Sequence, residues 1–80
     1  MKKSHNLAFG QTIRELRKAK NLSQEALAFD AGFDRTYISL LELGTKSPTL
    51  DTIMALCRAL DIEFAQLALR VQALVREEHD

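Results

Sequence analysis

Near the middle of the chain stand four polar side chains, Arg35, Thr36, Tyr37 and Ser39, with Leu40 among them. If residues 35–43 are helical, these side chains fall off the apolar face that Ile38 and Leu41 would form. Their chemistry suits the edges of base pairs. A guanidinium presents a fork of donors matching the O6 and N7 acceptors of guanine, and a threonine methyl can meet the methyl of thymine. A solvated helix face carrying Arg, Thr and Ser would look the same in isolation. A second group follows at Thr45, Lys46 and Ser47, before the chain's single proline, Pro48. Such a loop can offer backbone N–H groups and a lysine to phosphates, contacts that position a protein without reading sequence. An ordinary connector has a similar composition, so both groups must be judged by what surrounds them.

The stretch SQEALAFDAGFDRTYISLLEL, residues 23–43, supplies that setting. It reads as two short helices joined by a tight corner. Ser23 can cap the first helix by accepting an orphan backbone N–H. The capping box is incomplete, because Ala26 stands where Glu or Gln would complete it. Leu27, Ala28 and Ala31 give this helix an apolar face, and Gly32 can take the positive φ that ends it. Phe33 is expected to anchor inward, and Asp34 to cap the second helix. Small residues at Ala28 and Gly32 are expected to let the two helices approach closely. This is the pattern of a helix-turn-helix, in which the outer face of the second helix enters the major groove.

The remaining elements follow in order. Residues 1–5 read as a frayed tail, and Asn6 as the cap of a helix running to about Lys20, with Phe9, Ile13 and Leu16 inward. Arg14, Arg17, Lys18 and Lys20 charge its later turns, where they suit the helix dipole. Asn21 and Leu22 link it to Ser23, and Gly44 ends the two-helix motif. Thr49 is expected to cap a helix over about 50–59, with Leu50, Ile53, Leu56, Cys57 and Leu60 apolar. Asp61 and Ile62 form a corner, and a last helix occupies 63–78. Along it Phe64, Leu67, Ala68, Val71, Leu74 and Val75 form a stripe longer than so small a core requires. A stripe that exceeds its own domain predicts a partner helix, most simply the same helix of a second copy. The alternative is a helix that only covers the monomer core and frays after Leu74.

Composition narrows the function. Eighty residues make one domain, and 46% hydrophobic content spread evenly along the chain argues against disorder. No apolar run approaches the roughly 18–20 residues of a membrane span. The first ten residues lack the apolar region of a secretory signal, so the cytoplasm is expected. Cys57, the sole cysteine, reads as a small core residue. His5 and His79 lie in the expected tails, and there is neither a Cys/His cluster at metal spacing nor a Gly-rich phosphate loop. An enzyme, a metal site and a cofactor are therefore not expected. Net charge is zero, yet residues 1–46 hold eight Lys/Arg against five acids, and residues 47–80 hold three against six. The first half would face a polyanion and the second half would face away. A monomer with so few cations should bind DNA weakly, which again favours a dimer.

With these residues in view, the run FGQTIRELRKAKNLSQEALAFDAGFDRTYISLLELGTKSPTLDTIMALCRALDI resembles the Cro/repressor-type helix-turn-helix family of lambda-repressor-like DNA-binding domains. The matching features are IRELRKAKNLSQEALA, the corner Gly32, Glu42 followed by Gly44, Ser47–Pro48 and the final ALDI, over about residues 8–67. The short length, the DRTYIS segment and the single appended helix look most like controller proteins of restriction–modification systems. The resemblance implies an all-α, five-helix domain with the helix-turn-helix at helices 2 and 3 and a dimerisation helix at the C-terminus. It implies Arg35, Thr36, Tyr37 and Ser39 at base edges, and Gln24, Thr45, Lys46 and Ser47 on phosphates. It also implies a partly buried ion pair between Arg17 and Glu42. Leu40 replaces a residue often polar there, and either meets a thymine methyl or packs on the protein. The implied function is that of a homodimeric, nucleoid-associated transcriptional regulator in a bacterium. It would bind a near-palindromic operator of double-stranded DNA, as an autoregulatory controller of a restriction–modification operon. A phage-type or mobile-element repressor and an antitoxin-like interaction module are the alternatives.

Overall fold

The computed structural model describes the backbone of residues 4–79 and side chains as far as 77. It contains five helices: α1 (His5–Ala19), α2 (Gln24–Ala31), α3 (Arg35–Leu43), α4 (Leu50–Leu60) and α5 (Phe64–His79). No strand occurs among the described residues, and no helix there is long and apolar enough to cross a membrane.

Each of the first four helices begins on a short polar side chain that accepts the backbone N–H three residues on. Ser23 serves Ala26, Asp34 serves Tyr37 and Thr49 serves Thr52. Such a cap contributes about 1 kcal/mol over alanine. The first helix corrects the sequence reading. Ser4, not Asn6, is its cap, accepting from the Leu7 N–H at 3.0 Å, so residues 4 and 5 belong to the fold. Residues 1–3 of the expected tail lie outside the described residues. Asn6 and Ser4 are equally good cap types, and composition alone could not choose between them.

The core gathers Phe9, Ile13, Leu27, Ile38, Leu41 and Leu56, together with Cys57, Leu60 and Leu67. Cys57 is buried as expected, and burial pushes its thiol pKa up. Leu50 departs from expectation. Although it begins α4, it is 62% exposed and belongs to no core face. The α1 helix packs on both α3 and α5, and α2 packs on α3 and α4.

Two glycines show different constraints. Gly32 closes α2 with φ at 83°, but a Cβ built there would meet nothing within 4 Å. It therefore serves the turn alone, and the expected close approach at this corner is not its role. That role belongs to Gly10, in the middle of α1. A Cβ on Gly10 would collide with the Leu41 carbonyl oxygen and lie 2.6 Å from that of Glu42. No side chain fits there, so α1 rests directly on the backbone at the end of α3.

Candidate nucleic-acid interface

The corner between α2 and α3 gives the outer face of α3 its direction. Gly32 turns the chain, the Phe33 N–H donates to the Ala28 carbonyl at 2.8 Å, and Asp34 starts α3 at once. The half-buried Phe33 ring meets Tyr37 edge to face, with centroids 5.0 Å apart. With Ile38 and Leu41 fully buried, the opposite side of α3 must face outward.

On that outward side Arg35 and Thr36 are exposed and Ser39 is half-buried. None of these three side chains has a hydrogen bond or ion pair among the described residues. They share one shallow surface depression with Gln24 from the start of α2. A second depression brings Gln24 and Arg35 together with Ser23 and Arg17. Two helices and the turn before them thus line one outer surface.

Three of the expected contact residues, Tyr37, Thr45 and Gln24, are already engaged within the fold. Tyr37 is half-buried and its hydroxyl lies 3.0 Å from the Thr52 hydroxyl, which in turn accepts from Thr49. In this arrangement Tyr37 ties α3 to the start of α4, and its hydroxyl reaches a base only by leaving Thr52. Thr45 donates its hydroxyl to the Leu40 carbonyl at 3.1 Å, which leaves only acceptor capacity for a phosphate. Lys46 and Ser47 remain exposed, with no side-chain partner among the described residues. Leu40 is half-buried.

The far end of α3 is fixed by charge. The Arg17 guanidinium grips Glu42 with two parallel bonds, Nε to Oε2 at 2.7 Å and Nη2 to Oε1 at 3.0 Å. Its Nη1 donates to the Leu22 carbonyl at 2.9 Å. Both side chains are shielded, at 10% and 5% exposure, so solvent weakens the pair little. The hydrogen bonds to Glu42 hold the arginine above its ordinary pKa, against the opposing effect of burial. The Gln24 amide also donates to Glu42. Nothing in the residue pattern signalled that last bond.

The α5 stripe divides. Leu67 is 1% exposed and packs in the monomer core, and it also lines an open apolar groove. The α5 helix packs on both α1 and α4. Phe64, Ala68, Val71 and Val75 line the same groove more openly, with Phe9 and Ile53. Leu74 is half-buried outside this groove. His5, expected in a tail, lies at the groove's edge. His79 lies outside the described side chains. No group of three or more His, Cys, Asp or Glu that could hold a metal occurs among the described residues.

The helix-turn-helix family profile covers residues 13–67, more than half of the chain. The chain belongs to the helix-turn-helix family. Its relatives in that family include control proteins. C.BamHI, a control protein of Bacillus amyloliquefaciens, is 47% identical over 58 residues, covering 71% of this chain and 72% of its own. The crystal structure of the restriction–modification controller protein C.AhdI from Aeromonas hydrophila superposes with a TM-score of 0.75 at 50% identity. That match covers 78% of this chain and 94% of C.AhdI. The fold also recurs in the controller protein C.Esp1396I, solved as a tetramer on its natural 35 base-pair operator. There the TM-score is 0.83 at 22% identity, over 92% of this chain and 97% of that one. This helix-turn-helix protein is a DNA-binding transcriptional regulator, similar to restriction–modification controller proteins.

Proposed function

We propose that the protein acts as a homodimer on a near-palindromic operator and controls the restriction–modification operon that encodes it. The observation that carries this reading is the row of Arg35, Thr36 and Ser39, unpartnered and outward on a helix whose far end is pinned by Arg17 and Glu42. Arg35 and Thr36 stand in the first turn of α3, where a helix-turn-helix presents its base-reading residues. Tyr37 joins them when its hydroxyl exchanges Thr52 for DNA. Gln24, Lys46, Ser47 and the acceptor side of Thr45 flank that row as backbone contacts.

The open groove on α5 supports the dimer. Phe64 is 44% exposed, and Ala68, Val71 and Val75 extend the apolar surface beside it. A second α5 is the simplest cover, with Leu74 at its margin. Two recognition helices about 34–36 Å apart would then meet successive major grooves on one side of the duplex. The relatives named as control proteins, and the operator complex of C.Esp1396I, support the same reading. The protein acts by binding, without cofactor or metal and not as an enzyme, in the bacterial cytoplasm at the nucleoid.

The test is an anisotropy titration against duplex DNA from upstream of the gene, with a scrambled duplex and a salt series. Cooperative, salt-dependent binding that the scramble loses is expected. Arg35→Ala should cost about 1–3 kcal/mol and relax preference at one base pair, whereas Lys46→Ala should weaken both duplexes alike and lower the salt slope by about 1. Equal, weak binding to both duplexes by the native protein would refute the operator reading.

A further inference from the structure

Glu42 lies on the last turn of α3, away from Arg35 and Thr36, yet it is bonded to a residue of the reading surface. Its Oε2 accepts from Arg17 Nε at 2.7 Å. Its Oε1 accepts twice, from Arg17 Nη2 at 3.0 Å and from Gln24 Nε2 at 3.1 Å. A carboxylate only accepts, so turning the Gln24 amide over would set oxygen against oxygen. The amide nitrogen is thereby fixed in place. It carries two N–H groups, of which Glu42 takes one. The side chain that holds the other lines both depressions shared with Arg35. Arg17 has a further effect, because its charge offsets that of Glu42. Without it, a carboxylate beside Gln24 would repel any phosphate that Gln24 approached.

We propose that Glu42 is a positioning residue for the DNA backbone, holding the Gln24 amide so that its remaining N–H meets a phosphate. The proposal rests on the phosphate role given to Gln24 above. It assigns the Arg17–Glu42 pair a part in binding as well as in folding. The amide is oriented before DNA arrives, so its rotamer freedom is not lost on binding.

A double-mutant cycle tests it, with Gln24→Ala, Glu42→Gln and the double variant measured for thermal midpoint and for affinity to operator and scrambled duplexes. Gln24→Ala should weaken both duplexes alike. Glu42→Gln should weaken DNA binding about tenfold when Gln24 is present, as for a lost hydrogen bond to a charged group, and cause no further loss in the Gln24→Ala background. Its effect on the thermal midpoint should be the same in both backgrounds, because the fold loses the same ion pair in each. Equal losses of affinity in the two backgrounds would overturn the positioning role. If Gln24→Ala leaves affinity unchanged, the phosphate reading of Gln24 fails first and the proposal with it. NMR of the native protein decides the matter even if Glu42→Gln does not fold. The Gln24 side-chain amide should be as rigid as the backbone before DNA is added, and a freely rotating amide would overturn the proposal.

Discussion

Where α1 crosses the end of α3, contacts are short, polar and closed; along α5 they are apolar and open on one side. At the first place a glycine is pressed against two carbonyls and a guanidinium forks onto a carboxylate. Each of these contacts tolerates only a narrow range of geometry. At the second place Phe64, Ala68 and Val75 form a surface that stays open to solvent. Apolar contact is non-directional, so that surface can be completed by any shape that fits it. In the proposed dimer, the chain thus fixes the helix that would read and leaves incomplete the helix that would pair. Rigidity serves specificity, whereas an open apolar face makes activity depend on concentration.

Arg17→Met attacks the closed seam most directly. Glu42 would remain buried beside Gln24 with no cation, at a cost of about 3–5 kcal/mol in urea denaturation. Arg17→Met with Glu42→Leu should cost less than the single change, and a larger cost would mean the seam depends on packing and not on charge. The division of α5 is sharpened by Leu67→Ala against Phe64→Ala. Leu67→Ala should lose about 2–5 kcal/mol of folding stability by leaving a core cavity. Phe64→Ala should leave stability at low protein concentration nearly intact and shift sedimentation toward monomer. Equal destabilisation by the two would make α5 an ordinary core helix. Gly10→Ala comes next, with a loss of about 1–3 kcal/mol from overpacking and weaker operator binding. In an open helix the same change gains about 0.5–1 kcal/mol, so even the sign of the thermal shift decides.

Local chemistry was legible in the sequence and tertiary approach was not. Ser23, Asp34, Thr49, Gly32 and Gly44 act within three or four residues of themselves, so their types announce them. Arg17 and Glu42 are 25 residues apart, and only resemblance to a family pairs them. Gly10 gives no sign at all, because a glycine inside a helix reads only as a local cost until the neighbouring helix is in place. Leu67 and Ala68 show the same limit. Both belong to one helical stripe, and only the packing of α1 and α4 decides that one is core and the other surface. Tyr37 has the right position for a base contact, but its hydroxyl partner Thr52 lies on another helix.

The α1 helix touches α3 on one side and α5 on the other. It is therefore the spacer between the part proposed to read and the part proposed to pair, and Gly10 sets its approach to α3. In the proposed dimer a two-fold axis copies that approach, so any widening at position 10 would appear twice in the distance between the reading helices. DNA offers its grooves at a fixed repeat. In that dimer the missing side chain would act as a gauge, matching the span of the protein to the pitch of the double helix.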